Sequence, residues 1–371
     1  MPVKTYRPII IFTVIMLIFH FATPSFSKVL IKNSKYSKYF EKNFRFGEIV
    51  DKVATDGFFE YIKSDNNYKV VFVGDSVIAG ALVEDNNDTI PAYFQKNFEY
   101  RVSVYNLGFP GNRPADIFFS TKKIIDEDAC DFIILNVNYA FFSDSMLEKS
   151  SIARPKLFFD IMDTKSRKVL NLEDNKLETF LVTNLLSKWN IYKKREEISF
   201  SLFGQNLREK LIIGEDGLPE ILDENNALTT PVNYNNTLDT PWYETNFPPK
   251  KIEHWKNIFD TTTINDDNIG VYFFKKTLDK ISSENIPAIV FLTPTNKEMI
   301  ESLHLIKDYS RYEKNMSFLK NMINKKNIRL IDCTNIVESE NFCDLYHLMP
   351  SGNQKLAQIL FEESKDMIKK E

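Results

Sequence analysis

Histidine and cysteine are nearly absent from this chain, at four and three of 371 residues. Cys130, Cys333 and Cys343 are too few for a disulfide scaffold, and no Cys-x-x-Cys pair occurs. A zinc site of the usual Cys/His make-up is therefore excluded, and nothing points to a cofactor. No long basic run is present, and the formal charge is −4. That argues against nucleic acid as a partner, because phosphate binding needs clustered Lys and Arg. Glycine is scarce as well, at 11 residues, and there is no internal repeat or low-complexity tract. What remains is ordinary for a globular protein, with 43% hydrophobic and 26% charged residues. At about 100–200 residues per domain, the length fits one large domain or two modest ones.

Residues 1–27 differ from the rest. Lys4 and Arg7 precede an apolar run from Ile9 to Phe21, broken only by Thr13 and His20, and small residues stand at Ser25 and Ser27. The pattern reads either as a cleaved signal peptide or as an uncleaved N-terminal membrane anchor. Both readings export the protein to a periplasmic or cell-envelope location. Residues 28–68 form a polar, aromatic lead segment, helical in part.

An alternation of strands and helices follows. Continuous β-branched runs bounded by turns mark buried parallel strands. They occur at 69–73, 102–105, 131–139, 286–292 and 328–331, with helices expected after Pro114, from Asn268, over 311–325 and from Ser351. This predicts an α/β protein, a three-layer α/β/α sandwich around a parallel, flavodoxin-like sheet. The alternation stops over 146–262, which reads as an insertion or cap. The expected catalytic domain is thus 69–145 plus 263–371. In such sheets ligands sit at the carboxyl ends of the strands.

Four short sequences lie at those ends. Gly74-Asp75-Ser76 allows a tight strand-to-helix turn that lifts a serine above the sheet, near helix N–H groups that favour an oxyanion. The alternative elbow Gly-x-Ser-x-Gly fails, because position 78 is Ile. Asn106 to Asn112 holds glycines whose N–H groups suit an oxyanion. Asn136 and Asn138 end a buried strand, where a polar side chain needs a partner or a task. Asp344 and His347 stand three apart before the last helix, close enough for the carboxylate to orient the imidazole. Taken singly, each also fits a plain role: a capping serine, a glycine turn, a turn asparagine or a surface histidine.

Together and in this order, they resemble the SGNH (GDSL-type) hydrolases, whose blocks are Gly-Asp-Ser, a glycine, an asparagine and Asp-x-x-His. The resemblance implies Ser76 as nucleophile, with Asp344 and His347 completing a triad. It implies backbone oxyanion donors at Ser76 and Gly111, the latter five residues after Asn106. The third block departs, since no Gly-x-Asn-Asp follows the third strand; Asn138 takes its place, with Asn136 in reserve. Implied function is acyl-ester hydrolysis or O-acyl transfer through an acyl-enzyme. The rival reading is a catalytically degenerate glycan-binding or accessory protein on the same fold.

The leader, the insertion, Phe291 to Asn296 and the late Asp-x-x-His-Leu are also similar to envelope proteins of alginate acetylation and teichoic-acid D-alanylation. That similarity implies an acylated glycan or small ester as substrate and a membrane-bound O-acyltransferase as partner. Two further expectations concern local chemistry. Cys333 and Cys343, ten residues apart in an exported chain, fit either a bridge that restrains the Asp344 loop or two ordinary buried thiols. Trp242 and Tyr243 fit either aromatic faces presented to sugar or the cap's own core, while Trp189 and Trp255 are expected to pack the cap.

Overall fold

The computed structural model describes residues 7–32, 40, 43–47, 52–98, 101–148, 151–172, 189–190 and 238–368. Two compact units are present. One comprises 41–50, 62–158 and 222–371, and the other 1–40, 51–61 and 159–221. Most of the expected cap, 173–188 and 191–237, lies outside the described residues.

The larger unit is built on five parallel strands. These are β1 (Tyr68–Gly74), β2 (Val102–Gly108), β3 (Phe132–Val137), β4 (Ala288–Leu292) and β5 (Ile328–Asp332). Their order is β2-β1-β3-β4-β5, the flavodoxin-like doubly wound arrangement. Val70 to Val73, Phe132 to Val137 and Ala288 to Leu292 are buried throughout. A parallel sheet covered on both faces favours such near-continuous apolar runs, here broken only by Asn136 near the end of β3. Right-handed crossovers in this order put the helix after β1 on one face and those after β2, β3 and β4 on the other. The packing agrees: Pro114–Asp126 lies against Ile269–Ser283, and Ile90–Gln95 lies against Pro350–Ser364.

The helices start where the caps allow. Thr89, Asn268, Asn296 and Asp308 each accept a backbone N–H from the first turn they precede. One helix, Pro249–Phe259, arises inside the segment expected to be irregular. Its buried residues Trp255, Ile258 and Phe259 fall at helical spacing. The Phe259 ring stacks on Tyr139, just past β3, with centroids 5.7 Å apart.

In the smaller unit the helix Arg7–Lys32 leaves apolar side chains such as Ile10, Phe12, Ile18 and Phe21 exposed. Among the described residues no helix is long and apolar enough to cross a membrane. Elsewhere in this unit Lys52 pairs with Asp56 at 2.7 Å and with Asp160 at 3.6 Å.

Candidate active site

The site lies where the sheet changes direction. β1 leads to a helix on one face and β3 to a helix on the other, so their exits diverge and leave a crevice. Pairing between them ends at Val73 and Leu135. The next free N–H, that of Asp75, is met instead by the Asn136 side chain, Oδ1 accepting at 3.2 Å. A Cβ on Gly74 would stand 1.9 Å from that same Oδ1, so only glycine lets the asparagine in.

Asp75 caps the short helix Ser76–Ala79 by accepting the Val77 N–H at 2.9 Å. It is buried, and its carboxylate also accepts from Asn136 Nδ2 at 2.9 Å and Asn138 Nδ2 at 3.2 Å. Burial pushes its proton affinity up; the Val77 N–H, the Asn136 amide and the charge of His347 oppose this only in part. Ser76 follows as the first helical residue, half-buried at the mouth of the crevice.

The end of β2 presses on this helix. A Cβ on Gly108 would lie 2.3 Å from the Ala79 nitrogen. Asn106 ties the two together, donating to the Ile78 carbonyl at 2.9 Å and accepting the Gly108 N–H at 2.9 Å. Beyond it, Gly111 is exposed with φ of +74°, and nothing lies within 4 Å of where its Cβ would be. Its flanks are clamped: Asn112 Nδ2 donates to the Gly74 carbonyl at 2.9 Å, and Arg154 donates to Asn112 Oδ1 at 3.1 Å and to the Pro110 carbonyl at 2.5 Å.

Asp344 and His347 arrive on the loop after β5. A short antiparallel bridge between Phe342 and Leu348 closes this loop, and the Cys343 N–H donates to the His347 carbonyl at 2.7 Å. Asp344 Oδ1 accepts the N–H groups of Tyr346 and His347, each at 3.0 Å. The same oxygen lies 2.9 Å from His347 Nδ1, and His347 Nε2 lies 2.8 Å from Ser76 Oγ. Ser76, His347 and Asp344 thus form one unbroken chain of hydrogen bonds.

Burial alone would disfavour charge on Asp344. The His347 charge, its ring and backbone N–H groups and the ammonium of Lys251 outweigh it, holding the carboxyl well below its usual range. For His347, burial works against protonation, but the Asp344 carboxylate, its hydrogen bond and Asp75 prevail, and the ring binds its proton more tightly than free imidazole.

The two asparagines differ in what they have left to give. Asn136 spends both amide hydrogens, on Asp75 Oδ1 and on Thr293 Oγ1 at 3.1 Å. Asn138 donates only to Asp75, while its Oδ1 caps Ala140 at 3.0 Å. Neither bonds to Ser76.

Several features depart from the sequence expectations. All three cysteines are free and buried, so no Cys333–Cys343 bridge exists. Cys343 faces Met349 Sδ at 3.4 Å instead. Residues 238–262 of the expected cap belong to the sheet-bearing unit, and they strap the Asp344 loop. Within this strap the Trp242 N–H donates to the Phe342 carbonyl at 2.9 Å, and Lys251 Nζ lies 3.4 Å from Asp344 Oδ2. Tyr243 is exposed and Trp242 half-buried, while Trp189 in the other unit is exposed rather than packed. Trp255 is buried edge-on to Phe247. Sequence reading passed over Asp75 and Lys251. The first was visible in the Gly-Asp-Ser turn; for the second no local signal existed. Among the described residues no group of three metal-ligating side chains lies together.

No family model and no curated protein matches the chain. It shows similarity to solved structures at 8% identity. One is a carbohydrate acetylesterase family member from Sinorhizobium meliloti, with a TM-score of 0.34 over 81% of this chain and 98% of that one. Another is a family two carbohydrate esterase from Clostridium thermocellum in complex with cellohexaose, with a TM-score of 0.32 over 81% of this chain and 64% of that one.

Proposed function

We propose that this chain is a serine esterase or O-acyltransferase of the SGNH kind. The observation that carries the reading is the linear array of Ser76 Oγ, His347 Nε2 at 2.8 Å and, through Nδ1, Asp344 Oδ1 at 2.9 Å. In that array His347 takes the Ser76 proton as Oγ attacks an ester carbonyl. Asp344 holds the ring with Nδ1–H toward itself and stabilises the imidazolium. The developing oxyanion is met by the N–H groups of Ser76 and Gly111, and the open space beside Gly111 suits close approach of a carbonyl. His347 then passes its proton to the departing alkoxide, leaving an acyl-serine. Water, or a sugar hydroxyl, releases the acyl group by the same steps in reverse.

Asn138 is the third donor in this reading, since one of its amide hydrogens is not spent on Asp75 whereas Asn136 has none left. Asn138→Ala is expected to lower kcat about 10²–10³-fold, the usual cost of one oxyanion contact. The same fall in Asn136→Ala but not in Asn138→Ala would reverse the assignment. No change in either would leave backbone donors alone.

The substrate class we propose is an O-acylated cell-envelope glycan. Tyr243 is exposed on the strap that bonds to the Asp344 loop, and aromatic faces suit the apolar C–H faces of sugars. Export by the leader, cleaved or kept, rests on the basic start and apolar run of residues 1–27. A membrane-bound O-acyltransferase as partner, and transfer as the alternative to hydrolysis, rest on the sequence resemblance alone.

A fluorophosphonate probe tests the reading directly, since it labels only an activated serine: labelling that is lost in Ser76→Ala supports it, and an unlabelled wild-type chain sinks it. The pH profile adds a second check. Only neutral His347 acts as the base, and Asp344 raises its proton affinity. Hydrolytic kcat/KM is therefore expected to rise with pH through a midpoint above the ordinary histidine value of 6.5. An acid limb centred at or below that value contradicts the arrangement.

A further inference from the structure

Asp344 has two oxygens, and the triad uses one. Oδ1 takes the His347 ring and two backbone N–H groups. Oδ2 faces Lys251, whose ammonium stands 3.4 Å away. This lysine comes from the helix Pro249–Phe259, far from the triad in sequence and on the strap rather than on the Asp344 loop. Its seat is built from both sides. The Phe247 and Trp255 ring centroids lie 5.1 and 4.9 Å from Nζ, and the two rings meet edge-on at 5.0 Å. Phe247, Lys251 and Trp255 recur every fourth residue, which brings them to one side of the chain as it enters and follows the helix. An ammonium between a buried carboxylate and two aromatic faces is held in place by charge attraction and by the ring quadrupoles.

Resting on the triad reading above, we propose that Lys251 is a positioning residue of that triad. Its ammonium fixes Asp344 so that Oδ1 faces His347, and its positive charge sets the pH at which His347 becomes available as a base. The charged groups facing His347 are Asp344 on its own loop, Asp75 from the start of the Ser76 helix, and Lys251 from the strap. The two carboxylates favour the imidazolium and Lys251 opposes it. By this balance the strap holds the base in its neutral, proton-accepting form at a lower pH than the Asp344–His347 pair would reach alone.

The test reads His347 itself, in the full chain labelled with ¹³C-histidine, by NMR titration of the ring Cε1–H. The resonance is assigned by its loss in His347→Gln. Lys251→Met and Lys251→Gln remove the charge, and Lys251→Arg keeps it. The expected result is an upward shift of the His347 midpoint in both neutral variants, with Lys251→Arg close to wild type. The acid limb of kcat/KM on an aryl ester is expected to move by the same amount. Folding is checked by circular dichroism, and either neutral variant that folds suffices. Should both unfold, Lys251→Cys is titrated before and after aminoethylation, which restores an ammonium at this position: a midpoint that falls on aminoethylation supports the proposal, and one that does not fall overturns it. An unchanged or lowered midpoint in a folded neutral variant overturns it, as does an equal shift in Lys251→Arg. The titration is read whether or not the chain turns over esters. A shifted midpoint in a protein that neither turns over esters nor reacts with a fluorophosphonate defeats the proposed function and leaves the coupling of Lys251 to Asp344 and His347 standing without a catalytic role.

Discussion

Ser76→Ala and His347→Ala are each expected to abolish nearly all turnover of a short-chain aryl ester, lowering kcat by about 10⁴–10⁶-fold. The loss is large because the two side chains act as one unit. Without Oγ there is no nucleophile at the end of the hydrogen-bonded chain; without the imidazole, the Ser76 hydroxyl keeps its proton. For the same reason the double variant should be little worse than either single one, since members of such a unit are far from additive. Stability is expected to change little in Ser76→Ala, because Ser76 is half-buried and its hydroxyl bonds to His347. Steady-state kinetics with the thermal midpoint as control decide the matter, and wild-type turnover in Ser76→Ala ends the assignment.

Gly108→Ala is expected to be the most damaging single methyl group in the sheet. The added Cβ would stand 2.3 Å from the Ala79 nitrogen, 2.7 Å from the Ile78 carbonyl carbon and 2.9 Å from the Ala79 Cα. All three are backbone atoms, so no rotamer change relieves the clash. The Ser76–Ala79 helix must back away from β2, straining the Asn106 bond to Ile78 and moving Ser76 relative to His347. Overpacking of this sort costs about 1–3 kcal/mol, occasionally more. Gly111→Ala is the natural comparison: it meets open space, and its cost is the left-handed φ of +74° alone, about 1 kcal/mol. Urea unfolding should therefore rank Gly108→Ala as the less stable of the two. Equal stability of Gly108→Ala and wild type would mean that the helix does not lie where its backbone contacts place it.

The acid limb of the rate profile and the Asn138 substitution probe the same crevice at smaller amplitude. A shallower effect is expected there because each removes or biases one interaction in a site that keeps its nucleophile and base.

Much of this arrangement is local and therefore legible from composition and order. β1, β3 and β4 announce themselves as unbroken apolar runs, because a strand buried on both faces cannot carry polar side chains except at its ends. The Gly74 turn and the Asp344-x-x-His347 pair are equally local; three residues of chain suffice to bring an aspartate and a histidine into contact. The helix Pro249–Phe259 was readable in principle from Trp255, Ile258 and Phe259, but a start of Pro-Lys-Lys within a polar stretch hid the period. Between a Cys333–Cys343 bridge and two buried thiols, sequence spacing could not decide, because it carries no information on where a thiol points. The fold buries both as free thiols and turns Cys343 toward Met349.

What the chain determines alone is the alternation of elements, the punctuating glycines and the chemical types available at the strand ends. What tertiary structure decided is who meets whom. Ser76 and His347 are 271 positions apart, and they meet because the strands from β1 to β5 all run parallel, so that both chain segments leave the sheet at its carboxyl edge. Asn136 and Asn138 look alike in sequence. Only the parting of β1 from β3 after Val73 commits the first wholly to Asp75 and Thr293 and leaves the second a hydrogen to donate. Lys251 is a solvated charge by every local rule, yet it lies against a buried carboxylate because the strap folds back over the Asp344 loop. Such contacts depend on loop closure across 61 to 271 positions. Their free energy comes from burial that no short window of sequence contains.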